Sequence, residues 1–355
     1  MCEMTRISKE NSNKLANMSF VCALLVVIIH VWSPREIGSP AWWLYSLTSF
    51  RCIAVPYFFV AAGYFLAGHI DEPGWWKREN YKRIWSLVVP YCLWCVLWQL
   101  CVVVQRIGAN LLHDRPIFAM LGDLGWSTFL GIDLLSHPNL APMWFVRTLL
   151  VYVAVSPVLV WAIKKFGLWS LVLPFIKLVF YKGEAFGTYH YFVDRFLGLG
   201  LVFYFMVGMA IRMGVLEPMR FKRDVLGLGG CCLLMYALKY GLKICMAEME
   251  GWTGFIAKIV DRGVLGIPYV LANMYFIWLV MPSTKWPTWL TSMSFPIYIV
   301  HWWVLMEYGK WLYGTAASVP QLLARTSFGI VGSMLVVLLI RTLFGKKAGL
   351  LFGGR

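Results

Sequence analysis

Seven ionisable side chains sit inside long apolar runs, where simple packing does not account for them. Five are cations, Arg51, Arg147, Lys177, Lys239 and Lys243; two are histidines, His30 and His301. A charge near the centre of a bilayer costs at least ~3 kcal/mol, so such a group normally faces a partner or a wet site. Histidine gains and loses a proton near neutrality, which suits a general base. Arginine offers a permanent cation with a rigid fork of donors, which suits an oxyanion or an anionic substrate. Each also has a plainer reading. His30, in ALLVVIIHVW, can be an interfacial residue near a helix end, and His301, in PIYIVHWW, can pack between tryptophans. Arg147 and Lys243 can snorkel to the surface. Arg51, in SFRCIAVPYFF, lies deep for snorkelling, and Lys239 reads either way.

Depth can be estimated from a rise of ~1.5 Å per residue. His30 falls ~22 Å up a first helix that starts near residue 15, and His301 ~18 Å up a helix that starts near 289. Arg51 descends ~14 Å and Arg147 ~6 Å from the opposite surface. In a core ~30 Å thick all four reach its middle or outer half, so one shared polar site is geometrically possible.

A second group of charges lies in WWKRENYKRIW, where Lys77, Arg78, Lys82 and Arg83 follow Trp75 and Trp76. This can be the basic, aromatic flank of a membrane helix. It can equally hold the phosphates of a nucleotide-like donor. The nine cysteines do not follow the spacing of a closed zinc framework; Cys92 and Cys95 form a C-x-x-C inside an apolar run with no second pair nearby. No metal site is expected.

The elements that must position these residues follow from composition. Of 355 residues, 60% are hydrophobic and 14% charged, against about 45–50% and about 25% in soluble domains. That excludes a soluble enzyme, a disordered chain and a fibrous one. The 19 tryptophans suit interfacial belts. A net charge of +15 would suggest nucleic acid on a soluble protein, but here it follows from positive-inside topology and a basic donor face; no nucleic-acid partner is expected. About ten apolar segments are expected, roughly 15–33, 42–67, 84–104, 143–163, 167–180, 195–213, 224–246, 264–281, 289–309 and 328–344. The stretch 117–135, broken by Gly122, Asp123, Gly125 and Asp133, reads as interfacial or re-entrant. With ten spans and an inside start, inside pieces carry roughly twice the basic residues of outside loops, which places both termini in the cytoplasm. The first apolar run reads as a retained span, not a cleaved signal. The expected architecture is all-α, a polytopic bundle of about ten transmembrane helices forming one domain over 1–355.

Several segments together resemble the acyltransferase family 3, integral-membrane acyl-CoA-dependent O-acyltransferases that act on cell-envelope glycans. The segments, in order, are ALLVVIIHVW, FRCIAVPYFFVAAGYFL, YKRIWSLVVPYCLW, PMWFVRTLLVYVAVSP, DRFLGLGLVFYFMVGMAI and SMSFPIYIVHWWVL, spread over about 15–345. Two positions depart from the family pattern. Ser19 stands where an arginine eleven residues before the first-helix histidine is common, and Met143 stands where a histidine precedes the Trp-Phe pair.

The resemblance implies transfer of an acyl group, acetyl by default, from acyl-CoA to a hydroxyl of a surface or lipid-linked glycan, in a bacterial inner membrane. It implies His30 as the base. Arg51, with Arg147 as the weaker choice, would stabilise the oxyanion or position the acceptor. Lys82 and Arg83 would bind the phosphates of acetyl-CoA, and His301 would support the base or bind the acceptor. The expected partners are acyl-CoA, the saccharide acceptor and membrane lipid. The residues alone also allow a secondary transporter or flippase for an anionic glycoconjugate, since intramembrane cations would serve it equally well. Release of the CoA thiol separates the two.

Overall fold

The computed structural model describes residues 7–31, 48–114, 116, 140–180, 199–217, 224–246, 249–309 and 318–354. Among these residues there are helices and turns and no strand. The stretch 117–135 read as re-entrant lies outside the described residues. Among the described residues, seven helical units are long and apolar enough to cross a membrane: Lys9–Val31, Ser49–Ala67, Trp75–Leu112, Met143–Val179, Val225–Met246, Gly251–Val280 and Val319–Leu351. Two shorter apolar helices, Val202–Arg212 and Ser294–Met306, accompany them. The chain is therefore an all-helical, multi-pass membrane protein.

Helix α1 (Lys9–Val31) runs from a polar start, KENSNK, to His30 in its last turn. The polar start ties it down. Asn17, buried, donates to the carbonyls of Pro282 (3.0 Å) and Thr284 (2.9 Å), Asn13 donates to Ser283 (3.0 Å), and Lys14 donates to Trp278 (3.2 Å). These bonds set the rotation and height of α1, and so of His30.

A 3-10 turn, Thr48–Ile53, carries Arg51 and leads into α2 (Ala54–Ala67). Arg51 thus sits on a tighter turn than the continuous α-helix assumed from sequence. The turn packs on α1. Helix α3 (Trp75–Arg83) follows, and a π turn, Ile84–Val88, joins it to α4 (Val89–Leu112). Helix α5 (Met143–Phe166) ends at Gly167, whose φ of +56° suits glycine and breaks the helix; a short α6 (Val172–Val179) follows. Among the described helices, α7 (Val202–Arg212) and α2 make the most extensive pairing. Gly63 and Gly208 make this possible: a Cβ on Gly63 would overlap the carbonyl of Phe205, and one on Gly208 would overlap that of Val60. Two backbones in near contact gain dispersion where the hydrophobic effect offers little.

Helix α8 (Val225–Met246) packs on α10 (Ile267–Val280), which continues from α9 (Gly251–Ile259) through a second π turn, Val260–Gly266. The sequence reading began this span near 264. Its actual start places Asp261 inside an apolar helical unit, where it accepts from Lys239 (2.7 Å). Lys239 is thereby paired rather than snorkelling. A four-residue helix, α11 (Thr288–Thr291), precedes α12 (Ser294–Trp303), which carries His301 and ends in a third π turn, Val304–Gly309. The last long helix, α13 (Val319–Phe344), opens with a capping box between Ser318 and Gln321 and with proline near its start. Helix α14 (Ala348–Leu351) then docks on α4, with Trp94 donating to the Leu351 carbonyl (2.9 Å).

Candidate active site

The structure brings the two histidines together. Helices α1 and α12 pack side by side, and the rings of His30 and His301 lie 5.1 Å apart between centroids, tilted by 31°. Trp302 sets its edge against His30 at 5.0 Å. His30 remains partly exposed, while His301 is 0% exposed behind it.

Local bonding fixes the tautomer of His301. Its Nδ1 faces two carbonyls of its own helix, Tyr298 at 2.7 Å and Ile297 at 3.2 Å. Carbonyls only accept, so Nδ1 carries the hydrogen and Nε2 holds the lone pair of the neutral ring. That Nε2 is buried and meets no hydrogen-bond partner among the described residues. One turn below, the Tyr298 hydroxyl donates to the carbonyl of Pro142, the residue that caps α5, and its ring lies 5.4 Å from that of Phe145. The start of α5 is thus tied to the helix that bears His301.

Arg147 lies in the first turns of α5 and is 8% exposed, within electrostatic reach of Tyr91 on α4. It is buried between helices and does not snorkel. Arg51 is 6% exposed, on the turn packed between α1 and α10. The two arginines therefore enter from different neighbours of the histidine helices.

Lys82 and Arg83 have a partner that the sequence reading missed. Both point to Glu79, a buried carboxylate, at 2.8 Å and 3.3 Å. All three lie within one helical turn or so, at i, i+3 and i+4, and that spacing in KRENYKR was the available signal. Glu79 neutralises part of the local charge and holds both side chains on one face. Further charges lie at the loop before α3. Glu72 accepts from His69 (3.0 Å) and from Arg78, and the His69 hydrogen bond, with Arg78 beside it, holds its carboxyl below the ordinary range. Asp71 accepts from Lys164 (3.2 Å), joining this loop to the end of α5.

Arg325 is a second omission. The sequence reading left it in an outside loop, because the apolar run starts only near 328. The capping box starts α13 nine residues earlier, so Arg325 falls in its second turn and is 9% exposed. It belongs to the buried stripe Leu322, Arg325, Thr326, Gly329, Ser333 and Val337. Four residues on, a Cβ added to Gly329 would meet the side chains of Leu305 (2.6 Å) and Val27 (2.9 Å). Val27 precedes His30 by one turn on α1. Residues i and i+4 share a helix face, so Arg325 faces α1 and α12 near the level of the histidine pair. Ser318, Pro320 and Gln321 were the helix-start signal for this earlier beginning.

Ser19, the position of the first departure from the family pattern, is part of a hydrogen-bonded knot. Its hydroxyl and that of Tyr57 both reach the Leu15 carbonyl, at 2.7 Å and 2.8 Å, and lie 3.1 Å from each other. The knot joins α1 to α2 without a cation.

A family model described as an acyltransferase domain matches residues 17–342. No curated protein and no solved structure matches the chain. The matched region takes in α1 with His30, the turn with Arg51, Arg147, and α12 with His301, and it spans nearly the whole sequence. The chain belongs to acyltransferase family 3.

Proposed function

We propose that this membrane acyltransferase moves an acyl group, acetyl by default, from acyl-CoA to a hydroxyl of a lipid-linked or surface glycan. The observation that carries the mechanism is the contact between His30 and His301. His30 is the partly exposed member and takes the acceptor's hydroxyl proton as the oxygen attacks the thioester carbonyl. The carbon–sulfur bond then breaks, and the proton passes from His30 to the departing thiolate, giving CoA thiol and an O-acyl ester. A buried His301, whose Nε2 lone pair meets no donor among the described residues, supports His30 electrostatically and sterically. That is a positioning role, and it takes the place of the acceptor-binding role for His301.

The thioester oxyanion needs a fixed cation or donor. Among the described residues, Arg51, Arg147 and Arg325 are the buried arginines, and Arg325 shares the level of His30. Lys82 and Arg83 are the residues for the donor's phosphates. Lys82 is half exposed, and Glu79 holds the pair in place. The donor's extended arm would enter from the cytoplasm and present its thioester near His30, in a bacterial inner membrane with both termini inside and about ten spans. The test incubates purified protein with labelled acetyl-CoA and candidate glycolipids and measures both ester formation and CoA thiol release. Labelled ester with stoichiometric thiol is the expected result. Absence of thiol release with every acceptor and donor tried overturns the reading.

A further inference from the structure

An acyl-CoA donor is a two-ended substrate. Its phosphates would rest on Lys82 and Arg83, its thioester would meet the histidine pair, and the arm between them has one length. The two ends of the site must then keep a set separation, because a shift of about 1 Å can cost about a hundredfold in rate. Glu79 fixes the two basic side chains on α3, but it does not fix α3 itself. Directly after Arg83 the chain enters the π turn Ile84–Val88. Such a turn departs from α geometry, so packing from outside has to hold it. On one side Ile84 and Trp85 are exposed, and the Ser86 hydroxyl, though buried, meets no partner among the described residues.

The support comes from segment 348–354, much later in the chain. Gly353 lays its backbone on that of Ser86: a Cβ on Gly353 would overlap the Ser86 carbonyl, and its φ of +66° suits glycine. Phe352, beside it, is 0% exposed, and its ring lies 6.2 Å from that of Trp94 on α4. The Trp94 indole donates to the carbonyl of Leu351, the residue before. Gly354 donates to the Gly349 carbonyl (2.7 Å), which closes the segment on itself. Three consecutive residues thus grip α4 and the turn that precedes it. Trp94 also reaches the other end of the site. Its ring meets that of Trp303 edge to face at 5.9 Å, and Trp98 lies 6.0 Å from the same ring. Trp303 is two residues past His301 on α12.

We propose that Phe352 and Gly353 are positioning residues for the acyl donor. They seat the turn Ile84–Val88 against α4, and so set where Lys82 and Arg83 stand relative to the histidine pair. The proposal deepens the acyl-transfer reading and rests on it for naming the donor.

The test uses the full-length protein in detergent with two donors. One is acetyl-CoA; the other is the thioacetate of N-acetylcysteamine, which keeps the thioester and has no phosphates. Gly353→Ala forces the segment off the turn. It is expected to lower kcat/KM for acetyl-CoA about tenfold or more, through KM, and to leave the short donor within about twofold. Trp94→Phe keeps a ring and removes the bond to Leu351. It should shift acetyl-CoA the same way by a smaller factor, and it carries the test if Gly353→Ala does not fold. Binding of CoA alone, measured without acceptor, separates this proposal from acyl transfer. Affinity about tenfold weaker in Gly353→Ala, or weaker by a smaller factor in Trp94→Phe, supports the proposal even where the wild-type protein forms no ester; that second result would remove the acyl-transfer reading alone. An equal fall for both donors, or CoA affinity unchanged in both variants, overturns the proposal and leaves the segment a structural closure of the bundle. Wild-type protein that binds no CoA overturns both.

Discussion

His30 and His301 divide exposure between them, and that division makes their roles separable. Replacing the exposed member, His30→Ala, is expected to lower acyl transfer by at least ~100-fold, the low end of general-base contributions, while yield in the membrane fraction stays unchanged. Full activity in the purified variant would sink the assignment. His301 acts through its neighbour, so a graded response is expected. His301→Gln keeps a polar side chain in the same volume and should retain more activity than His301→Ala, with kcat falling and KM for the acceptor little moved. Arg325 admits a similar comparison: Arg325→Lys keeps the charge and should outperform Arg325→Ala in kcat. Equal loss in both Arg325 variants would point to the guanidinium fork rather than charge. Of the six site residues singled out from sequence, Arg51, Arg147 and His301 are buried and His30 is half-buried among helices; the exceptions are Lys82 and Arg83, which pair with Glu79. The exceptions show what a one-dimensional reading lacks. The partner of Lys82 and Arg83 sits only three and four residues away, yet a carboxylate among five charged or amide neighbours looks like solvated surface. Whether Glu79 is buried depends on the helix it faces.

At the scale of elements, the close crossing of α2 and α7 is the most constrained contact. Gly63→Leu or Gly208→Leu must separate two backbones, which should cost about 3 kcal/mol or more. Loss of monodisperse protein on size exclusion, or a lower melting temperature, measures it; native behaviour of both variants would show that the helices can part cheaply. The base of α1 makes a gentler case. Asn17→Ala removes two side-chain bonds to loop carbonyls, and a loss of about 1–3 kcal/mol in stability is expected. Because those bonds set the height of His30, activity should fall with stability. Helix existence was readable from apolar runs, since lipid demands about 20 such residues. Helix starts were not, because polar first turns belong to the helix too: α1 begins at Lys9, α13 at Val319 and the α9–α10 unit at Gly251. Each early start moved a charged residue from a supposed loop into a helix, Arg325 and Asp261 among them.

For the whole molecule, one short loop records the relative sidedness of distant parts. The start of α1 bonds to Ser283, and near the end of α13 Arg341 donates to the hydroxyl and carbonyl of Ser292 (3.2 and 3.1 Å). The first and last long helices thus close on one face. Ser8→Cys and Lys347→Cys are expected to react with an impermeant maleimide from the same side of the membrane, above the signal of the native cysteines. Labelling from opposite sides would overturn this arrangement. Class and membrane location followed from composition alone, because no soluble core could absorb so much apolar surface. Which helices are neighbours did not, since in lipid that choice rests on small-residue contacts and on pairs such as Lys239 with Asp261. The three π turns carry a further consequence, for how this chain can change by descent. Each widens one turn by a residue without breaking the helix, and each adjoins charged or ionisable residues of interest: Lys82 and Arg83, Asp261, and His301. Removing one residue from such a turn would restore ordinary α geometry and rotate everything on one side of it by about 100° relative to the other. A single-codon deletion in Ile84–Val88 would therefore re-aim Lys82 and Arg83 against α4 while leaving α4 apolar and insertable. Lineages that lost or gained such a residue would keep a membrane bundle and exchange one set of inward-facing side chains for another.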